Sequence, residues 1–279
     1  MIVTDSRPGS ARPNEDWVGT ATTETGSITV VLDGLTAPDG VGGCIHDTPW
    51  YASRLGHHLL TAASDGGNPL RGALRDAITS VSAEHADTCD LFDPGTPSST
   101  VAVVRVSDAF VEALVLADSP VVVDLQNHGV DVVTDQSVET VVQAEREAAL
   151  AAPAGSQEKA GRMAELVRAQ RLVRNTPNGY WIAGSTPDAA DHAVERSWAR
   201  NDVRRFAAMT DGASCLVETY QAMSWTDLLN TAQKDIGDVI DHVRLLEATD
   251  PVGARWPRYK KSDDATIAYV ELVELSART

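Results

Sequence analysis

The sequence contains little cysteine, and its cysteines do not form a disulfide pattern. Cys44, Cys89 and Cys215 are the three cysteines in 279 residues, and no two of them have CxxC spacing. An odd number without paired spacing argues against a disulfide framework and favours a reducing cytoplasm. Cys44 and His46 stand two positions apart, but two ligands do not make a zinc site, so no zinc is predicted here.

The sequence also lacks long apolar runs, and it has few basic residues relative to acidic ones. No run approaches the roughly 18 residues that a membrane-spanning helix needs. Residues 1–8 contain no basic region followed by an apolar stretch, so we expect no signal peptide and a cytoplasmic protein. The 23 Lys and Arg are outnumbered by 40 Asp and Glu, which gives a formal net charge of −17. That charge argues against nucleic acid and anionic membranes as partners.

The hydrophobic pattern predicts strands towards both ends of the chain, with helices between them. Short apolar runs predict strands at 27–32, 99–106, 110–117, 120–125, 130–134, 206–210 and 265–273. Helical spacing covers 48–63, 68–86, 136–152, 157–173, 213–222 and 225–246, whereas 4–17 is polar and turn-rich. This order predicts an α+β fold in one domain over 1–279, with a helical and irregular insert at 136–200.

Aspartates stand where the predicted strands end. Asp33 closes the run 28–32, Asp118 closes 111–117, Asp211 follows 206–210, and Asp263 precedes 266–273. If the fold brings these ends together, one cleft collects several carboxylates. Carboxylate oxygens are the ligands that Mg²⁺ and Mn²⁺ prefer. The sequence therefore predicts a site for hard divalent cations.

Six short motifs occur in an order that is informative as a set. They are Asn14-Glu15-Asp16, Leu32-Asp33-Gly34, Ser98-Ser99-Thr100, Ala117-Asp118-Ser119, Thr210-Asp211-Gly212 and Asp263-Asp264-Ala265-Thr266. In this order and spacing the chain resembles the metal-dependent serine/threonine protein phosphatases (type 2C, or PPM), as a bacterial-like member. The resemblance extends over about residues 12–273.

The resemblance implies a four-layer α-β-β-α sandwich with two central antiparallel sheets and a metal cleft at one end. It implies that Asp33 bridges two Mn²⁺ or Mg²⁺ ions and that the carbonyl of Gly34 completes one of them. Asp211 and Asp263 would hold the other ion. Two such ions about 3.5–4 Å apart can acidify a bridging water and stabilise in-line displacement at phosphorus.

Further roles follow from the resemblance. Glu15 and Asp16 would act mostly through metal-bound waters, and Asp118 would join Asp211 at a third, weaker metal site. An arginine before the Asn-Glu-Asp motif would bind the substrate phosphate. Arg12 has nearly the usual spacing, and Arg7 is the alternative.

Several positions depart from the family pattern. Leu35 and the following Thr36-Ala37-Pro38 stand where many members carry a histidine that donates a proton, and His46 is the candidate substitute. Ala117 replaces the glycine of a Gly-Asp-Ser motif, and Pro120 replaces an arginine. Asp264 occupies the place of an asparagine beside the metal ligand Asp263. These changes bear on catalytic strength more than on metal binding.

Two surface features have open interpretations. Trp181 lies where the family inserts a mobile flap beside the active site, so that it either helps to select substrates or packs in the core. A basic segment is either a rim that attracts phosphopeptides or a solvated loop; it contains Arg255, Arg258, Lys260 and Lys261.

The function predicted from the resemblance is hydrolysis of phosphoserine and phosphothreonine in proteins by a metal-activated water. The expected partners are a phosphorylated protein substrate and a serine/threonine kinase or its targets, and a monomer is expected. The alternative, motivated by the altered loop after Gly34, is a phosphatase-like module that binds phosphoproteins without turning them over.

Overall fold

The computed structural model describes residues 1–35 and 43–272. Residues 36–38, which stand where many family members carry a histidine, lie outside the described residues. Within these ranges there are ten strands and eight α-helices. The strands are β1 (Ile2–Arg7), β2 (Trp17–Thr23), β3 (Gly26–Leu32), β4 (Val101–Val106), β5 (Phe110–Leu116), β6 (Val121–Leu125), β7 (Gly129–Val133), β8 (Val194–Ala199), β9 (Val203–Met209) and β10 (Ala265–Glu271). The helices are α1 (Thr48–Ala63), α2 (Leu70–His85), α3 (Ser137–Thr140), α4 (Gln143–Ala151), α5 (Gln157–Val173), α6 (Asp211–Glu218), α7 (Trp225–Lys234) and α8 (Gly237–Thr249).

The strands form two antiparallel sheets of five strands each. One has the order β1-β10-β9-β6-β7, and the other has the order β2-β3-β4-β5-β8. Strands from both ends of the chain meet in the first sheet, because β1 pairs along its whole length with β10. The first and last parts of the described chain are therefore held together by backbone hydrogen bonds.

Three apolar layers separate four layers of structure. In β3, Ile28 and Val30 pack with α1 and α2, whereas Val31, the next residue along the strand, points into the core that the two sheets share. The opposite face of the other sheet packs on α6, α7 and α8. Both faces of the central strands are thus buried, which explains why their sequences are continuous apolar runs. The predicted α-β-β-α sandwich and α+β class are confirmed.

The polar segment near the N-terminus contains two strands that the sequence pattern does not reveal. Residues 4–17 read as turn-rich, yet β1 ends at Arg7 and β2 begins at Trp17. Each of these strands lies at the edge of a sheet with one partner strand, and neither contains a buried residue, so polar side chains suffice. Both strands are specified by their partners, β10 for β1 and β3 for β2, and not by their own sequence pattern.

Further boundaries differ from the sequence prediction. The helix predicted over 136–152 is divided into α3 and α4. The helix predicted over 225–246 is two helices, because the side chain of Asp235 accepts a hydrogen bond from the backbone of Gly237 (2.9 Å) and stops α7. The last part of the predicted insert at 136–200 is strand β8, which pairs with β5 at the edge of its sheet. The adjacent polar residues Glu195, Arg196 and Ser197 interrupt any apolar run, so the sequence gives no strand signal there. Within the described ranges, no helix has the length and apolarity needed to cross a membrane.

Candidate active site

Strand pairing brings the predicted acidic residues to one end of the two sheets. Trp17 pairs with Leu32 in adjacent strands, so Asp16 and Asp33 are neighbours just beyond that pair. In the other sheet β9 pairs with β10, and the backbone of Thr210 donates to the carbonyl of Thr266 (3.0 Å). Asp211 and Asp263, which flank these two threonines, therefore reach the same region.

Thr210 links the two sheets at the site. Its hydroxyl donates to Oδ2 of Asp16 at 2.9 Å, and the same hydroxyl oxygen accepts the backbone N–H of Thr266 at 3.0 Å. Asp16 is only 9% exposed and Thr210 is fully buried. Asp16, at the entry to β2, is thereby held against the ends of β9 and β10.

The backbone around Asp33 is fixed by the Ser98-Ser99-Thr100 motif. The carbonyl of Asp33 accepts the backbone N–H of Thr100 and the hydroxyl of Ser99, each at 2.9 Å. The hydroxyl of Thr100 in turn accepts the N–H of Asp33 at 3.1 Å. These bonds fix the backbone beside the carboxylate of Asp33, whose charge interacts with that of Asp211.

The carboxyl groups repel one another strongly enough to shift their titration. Burial, followed by repulsion from Asp263 and Asp211, raises the pKa of Asp16 to about 8 despite hydrogen bonds from two threonines. Burial, and then repulsion from Asp211 and Asp16, raises the pKa of Asp33 well above its usual range. Removal from water and repulsion by Asp263 raise the pKa of Asp211 to about 6. Such a cluster is stabilised by protons or by cations.

Lys260 supplies a positive charge to this cluster. Its ammonium group forms an ion pair of 2.6 Å with Oδ1 of Asp263, and its field also acts on Asp33 and Asp211. These contacts raise the pKa of Lys260 above its ordinary value although burial opposes the shift. A cleft of about 430 Å³ opens beside the pair; its lining includes Asp118, Asp211, Asp263 and Lys260.

Gly34 lies where a side chain has no room. A Cβ atom there would lie 2.4 Å from the carbonyl oxygen of Glu15 and 2.5 Å from Cγ2 of Thr48. The loop before β2 therefore packs directly on the backbone after Asp33. This close approach explains the Asp-Gly pair, because only glycine lets the two backbone segments meet.

Asp264 organises the loop between β1 and β2. Its Oδ1 accepts the backbone N–H of Gly9 at 2.7 Å, and its Oδ2 accepts that of Glu15 at 2.8 Å. Both carboxylate oxygens are thus occupied by the loop that leads to Asp16. Asp264 faces this loop, whereas its neighbour Asp263 faces Lys260 and the cleft.

Asp118 lies at the rim of the same cleft after a strained residue. Ala117 has φ of +67°, in the left-handed region that favours glycine. Burial, and then repulsion from Asp211, raises the pKa of Asp118 to about 7. The carboxylates of Glu139 and Glu218 add to this repulsion. Asp118 and Asp211 therefore interact electrostatically, and both line the same cleft.

The two arginines considered for phosphate binding differ in their surroundings. Arg7 pairs with Asp5 at 2.7 Å and with Asp241 at 2.6 Å, so its guanidinium is engaged beside α8. Arg12 is exposed in the loop that Asp264 holds.

The structure does not bring His46 to the aspartates. Its Nδ1 lies 3.6 Å from Sγ of Cys44, and its ring stacks on Trp50 with 3.9 Å between the ring centres. No histidine belongs to the described lining of the acidic cleft. The prediction that His46 supplies a proton there has no support, because the segment before α1 directs the ring towards α2.

The basic segment serves more than one purpose. Arg258 forms an enclosed ion pair with Asp250, and Arg255 lies over the ring of Trp256 at 4.1 Å. Lys260 points to the acids, whereas Lys261 is exposed. The segment is thus only in part a rim of the cleft.

Trp181 is partly buried and packs against the core, which agrees with one of the two interpretations of this residue. Its ring stacks on His192 with 3.6 Å between centres, and it packs against the apolar core below α1 and α2. The helices before it contact the cleft instead, since Glu139, Arg146 and Leu150 of α3 and α4 belong to its lining.

The donor set fits hard divalent ions. Asp33, Asp211, Asp263 and Asp118 offer carboxylate oxygens, and the cleft lining contains no imidazole among the described residues. Oxygen-only sites of this kind suit Mg²⁺ and Mn²⁺ rather than zinc. The raised pKa values of Asp33, Asp211 and Asp118 indicate an excess of negative charge that a bound cation would relieve.

Sequence reasoning missed Thr210 as the link to Asp16 and assigned Lys260 only to a general basic rim. The signal for Thr210 was its place immediately before Asp211 at a strand end. The signal for Lys260 was its spacing of three residues from Asp263, which allows a local ion pair.

Comparisons with known proteins agree with the fold. The catalytic domain of the phosphatase PstP, solved in complex with 2 manganese ions, has a TM-score of 0.56, 16% identity and coverage of 98% of both chains. Staphylococcus aureus Stp1, a serine/threonine phosphatase, has a TM-score of 0.59 and 15% identity over 98% of this chain and 94% of that one. Toxoplasma gondii phosphatase 2C has a TM-score of 0.57 and 12% identity, covering 97% and 94%.

A comparison with curated protein sequences finds no significant match. A family model described as protein phosphatase 2C matches residues 5–243, which is most of the chain. The chain therefore belongs to the protein phosphatase 2C family of metal-dependent protein serine/threonine phosphatases.

Proposed function

We propose that the acidic cleft is the catalytic centre at which this phosphatase hydrolyses phosphoserine and phosphothreonine in proteins. The observation that carries the proposal is the convergence of Asp16, Asp33, Asp211 and Asp263, whose charges act on one another. Asp33, Gly34, Asp211 and Asp263 would hold two Mn²⁺ or Mg²⁺ ions, and Asp118 with Asp211 would hold a third. The presence of 2 manganese ions in the related PstP domain supports a site for two such ions.

When bound, the metal ions acidify water and neutralise phosphate charge. The chain's own residues orient the reaction. Thr210 fixes Asp16 against the cleft, and Asp16 with Glu15 would orient water at the ligand site. Arg12, on the loop held by Asp264, would bind the phosphate oxygens with its planar guanidinium. Lys260 adds a positive charge beside Asp263 that attracts the phosphate dianion.

The substrate is a phosphorylated protein, and we infer that a serine/threonine kinase produces it. The helices α3 and α4, which contribute to the cleft lining, would act as the flap that selects among substrates. We further propose a monomer in the cytoplasm, where its thiols remain reduced, as the free cysteines suggest. No observation favours the alternative of a binding module without turnover, since the carboxylates needed for metal binding converge.

The test is hydrolysis of p-nitrophenyl phosphate and of a phosphothreonine peptide, with and without Mn²⁺. Wild type is expected to require the metal, and Asp33→Asn should lower kcat/KM by about 10²-fold or more, because it removes the proposed bridging ligand. Asp131→Asn is the matched control outside the cleft, where the carboxylate accepts a bond from Trp198. Metal-independent hydrolysis, or equal rates for both variants, would refute the proposal.

A further inference from the structure

Two cysteines and two histidines converge outside the acidic cleft. The Sγ atoms of Cys44 and Cys89 and one ring nitrogen each of His46 and His85 all lie within 4.8 Å of one another. We call these four residues the cysteine–histidine cluster. None of them is among the described residues that line the acidic cleft.

The cluster joins two segments that are distant in sequence. Cys44 and His46 precede α1, His85 is the last residue of α2, and Cys89 follows in the next turn. A backbone hydrogen bond of 2.7 Å from Asp90 to the carbonyl of Gly43 aligns the two segments. The pattern is therefore Cys-x-His from one segment and His-x₃-Cys from the other, which supplies two ligands from each.

The distances within the cluster suit a tetrahedral ion. Sγ of Cys44 lies 3.4 Å from Nδ1 of His85 and 3.6 Å from Nδ1 of His46, and Sγ of Cys89 lies 3.5 Å from the latter. A tetrahedron with Zn–S of about 2.3 Å and Zn–N of about 2.0–2.1 Å has sulfur–nitrogen edges of about 3.5 Å. The three measured separations agree with that edge.

The two sulfur atoms lie 2.9 Å apart. This separation exceeds a disulfide bond of about 2.05 Å, and it is shorter than the sulfur–sulfur edge of about 3.8 Å that the same zinc tetrahedron requires. A bound ion would therefore move the thiolates apart by almost one ångström. A small rotation about χ1 of Cys89, which lies in an irregular segment, is enough for this shift.

The surroundings of the cluster favour a soft or borderline ion. The nearest acidic side chains in sequence cap backbone groups instead, since Asp47 accepts the N–H of Trp50 and Asp90 accepts that of Phe92. Thiolate and imidazole ligands without carboxylate select zinc over Mg²⁺ and Mn²⁺. His85 is only 2% exposed and the ring of Trp50 lies 5.2 Å from it, whereas Cys44, His46 and Cys89 are partly exposed.

We propose that the cysteine–histidine cluster binds one zinc ion with four protein ligands, and that the ion has a structural role. Four ligands close the coordination sphere, as in structural rather than catalytic zinc sites. The ion would fasten residues 43–47, which precede α1, to the end of α2. The hydroxyl of Thr48, the first residue of α1, donates to the carbonyl of Leu35 at 3.2 Å and connects α1 to the active-site loop.

Two experiments test the proposal, one for the metal content and one for the type of ligand. The first measures metal content. Full-length protein purified under reducing conditions is analysed for zinc by mass spectrometry. About one zinc per chain is expected in wild type and in Asp33→Asn, which impairs the acidic cleft but leaves the cluster intact. Cys89→Ser and His46→Asn should lose this zinc. Cys215→Ser and His58→Gln, which change the same residue types elsewhere, should retain it.

Replacement of zinc by Co²⁺ identifies the ligands in the unmodified chain, so the test does not depend on the folding of variants. Wild type and Asp33→Asn are expected to show the intense visible bands of tetrahedral cobalt and sulfur-to-cobalt charge transfer. Oxygen ligands of the acidic cleft give neither. Absence of both zinc and the cobalt bands in folded, reduced wild type would overturn the proposal. So would a Cys44–Cys89 disulfide, detected by mass after thiol alkylation, in freshly isolated protein.

Discussion

At the scale of single residues, the acidic cleft contains a backbone conformation that its side chain does not favour. Ala117 has φ of +67° immediately before Asp118. Its carbonyl accepts the N–H of Asp135 at 3.1 Å, which helps to hold this conformation. The related family motif has glycine at this position, so the chain keeps the turn while using a residue for which the turn is strained.

The strain at Ala117 predicts a stabilising substitution. Ala117→Gly is expected to raise the free energy of unfolding by about 1 kcal/mol, because the left-handed conformation costs an L-residue about that much more than glycine. Urea denaturation measures the change. Ala113→Gly, in the extended strand β5, is the control and should lower stability. Loss of stability in both variants would show that Ala117 is not strained.

At the scale of elements, the sequence predicts those helices and strands that local signals specify. Helix α1 was predicted at its observed bounds because Pro49 at its start and regular apolar spacing are both local. Strand β1 was missed because it is specified by pairing with β10 from the other end of the chain. The proposed metal ligand Asp33 was found through its place after an apolar run. The cysteine–histidine cluster was not, because Cys44 and Cys89 meet only in the folded chain.

The loop between β1 and β2 depends on Asp264. Asp264→Ala is expected to lower the free energy of unfolding by about 2–3 kcal/mol, because two backbone N–H groups lose a charged acceptor. It should also raise KM for phosphopeptide, since Arg12 lies in the same loop. Chemical denaturation and steady-state kinetics measure the two effects.

The control for Asp264 is Asp235→Ala, which removes one side-chain bond to a backbone N–H at an exposed turn. Its effect on stability should be well under half that of Asp264→Ala, and KM should not change. Similar losses in both variants would indicate that Asp264 has no special role in holding the loop.

At the scale of the whole molecule, the sandwich brings the ends of both sheets to one acidic cleft, and this arrangement couples metal binding to stability. Carboxyl groups whose pKa is raised in the folded state bind more protons there than in the unfolded chain. Their protonation therefore stabilises the metal-free protein at low pH, and this stability is lost as pH rises through the folded pKa. For Asp211, Asp118 and Asp16 the window extends from about 4 to about 8.

Asp118→Asn isolates one contribution to this pH dependence. Without divalent ions, the variant should gain stability relative to wild type as pH rises from about 5 to 8, because asparagine never acquires the buried charge. Denaturation at both pH values gives the difference. Saturating Mn²⁺ should reduce this gain, since the cation neutralises the charge of wild type. A difference between variant and wild type that is independent of pH would contradict the raised pKa of Asp118.

The measurement that tests the central claim most directly is anomalous diffraction from crystals of the protein soaked in Mn²⁺. The account predicts two strong manganese peaks in the cleft, with Asp33 contacting both, Gly34 contributing its carbonyl to one, and Asp211 and Asp263 binding the other. Lys260 should release Asp263 as the ion binds. Crystals that show no manganese at Asp33 under saturating Mn²⁺, or ions held by other residues, would contradict it.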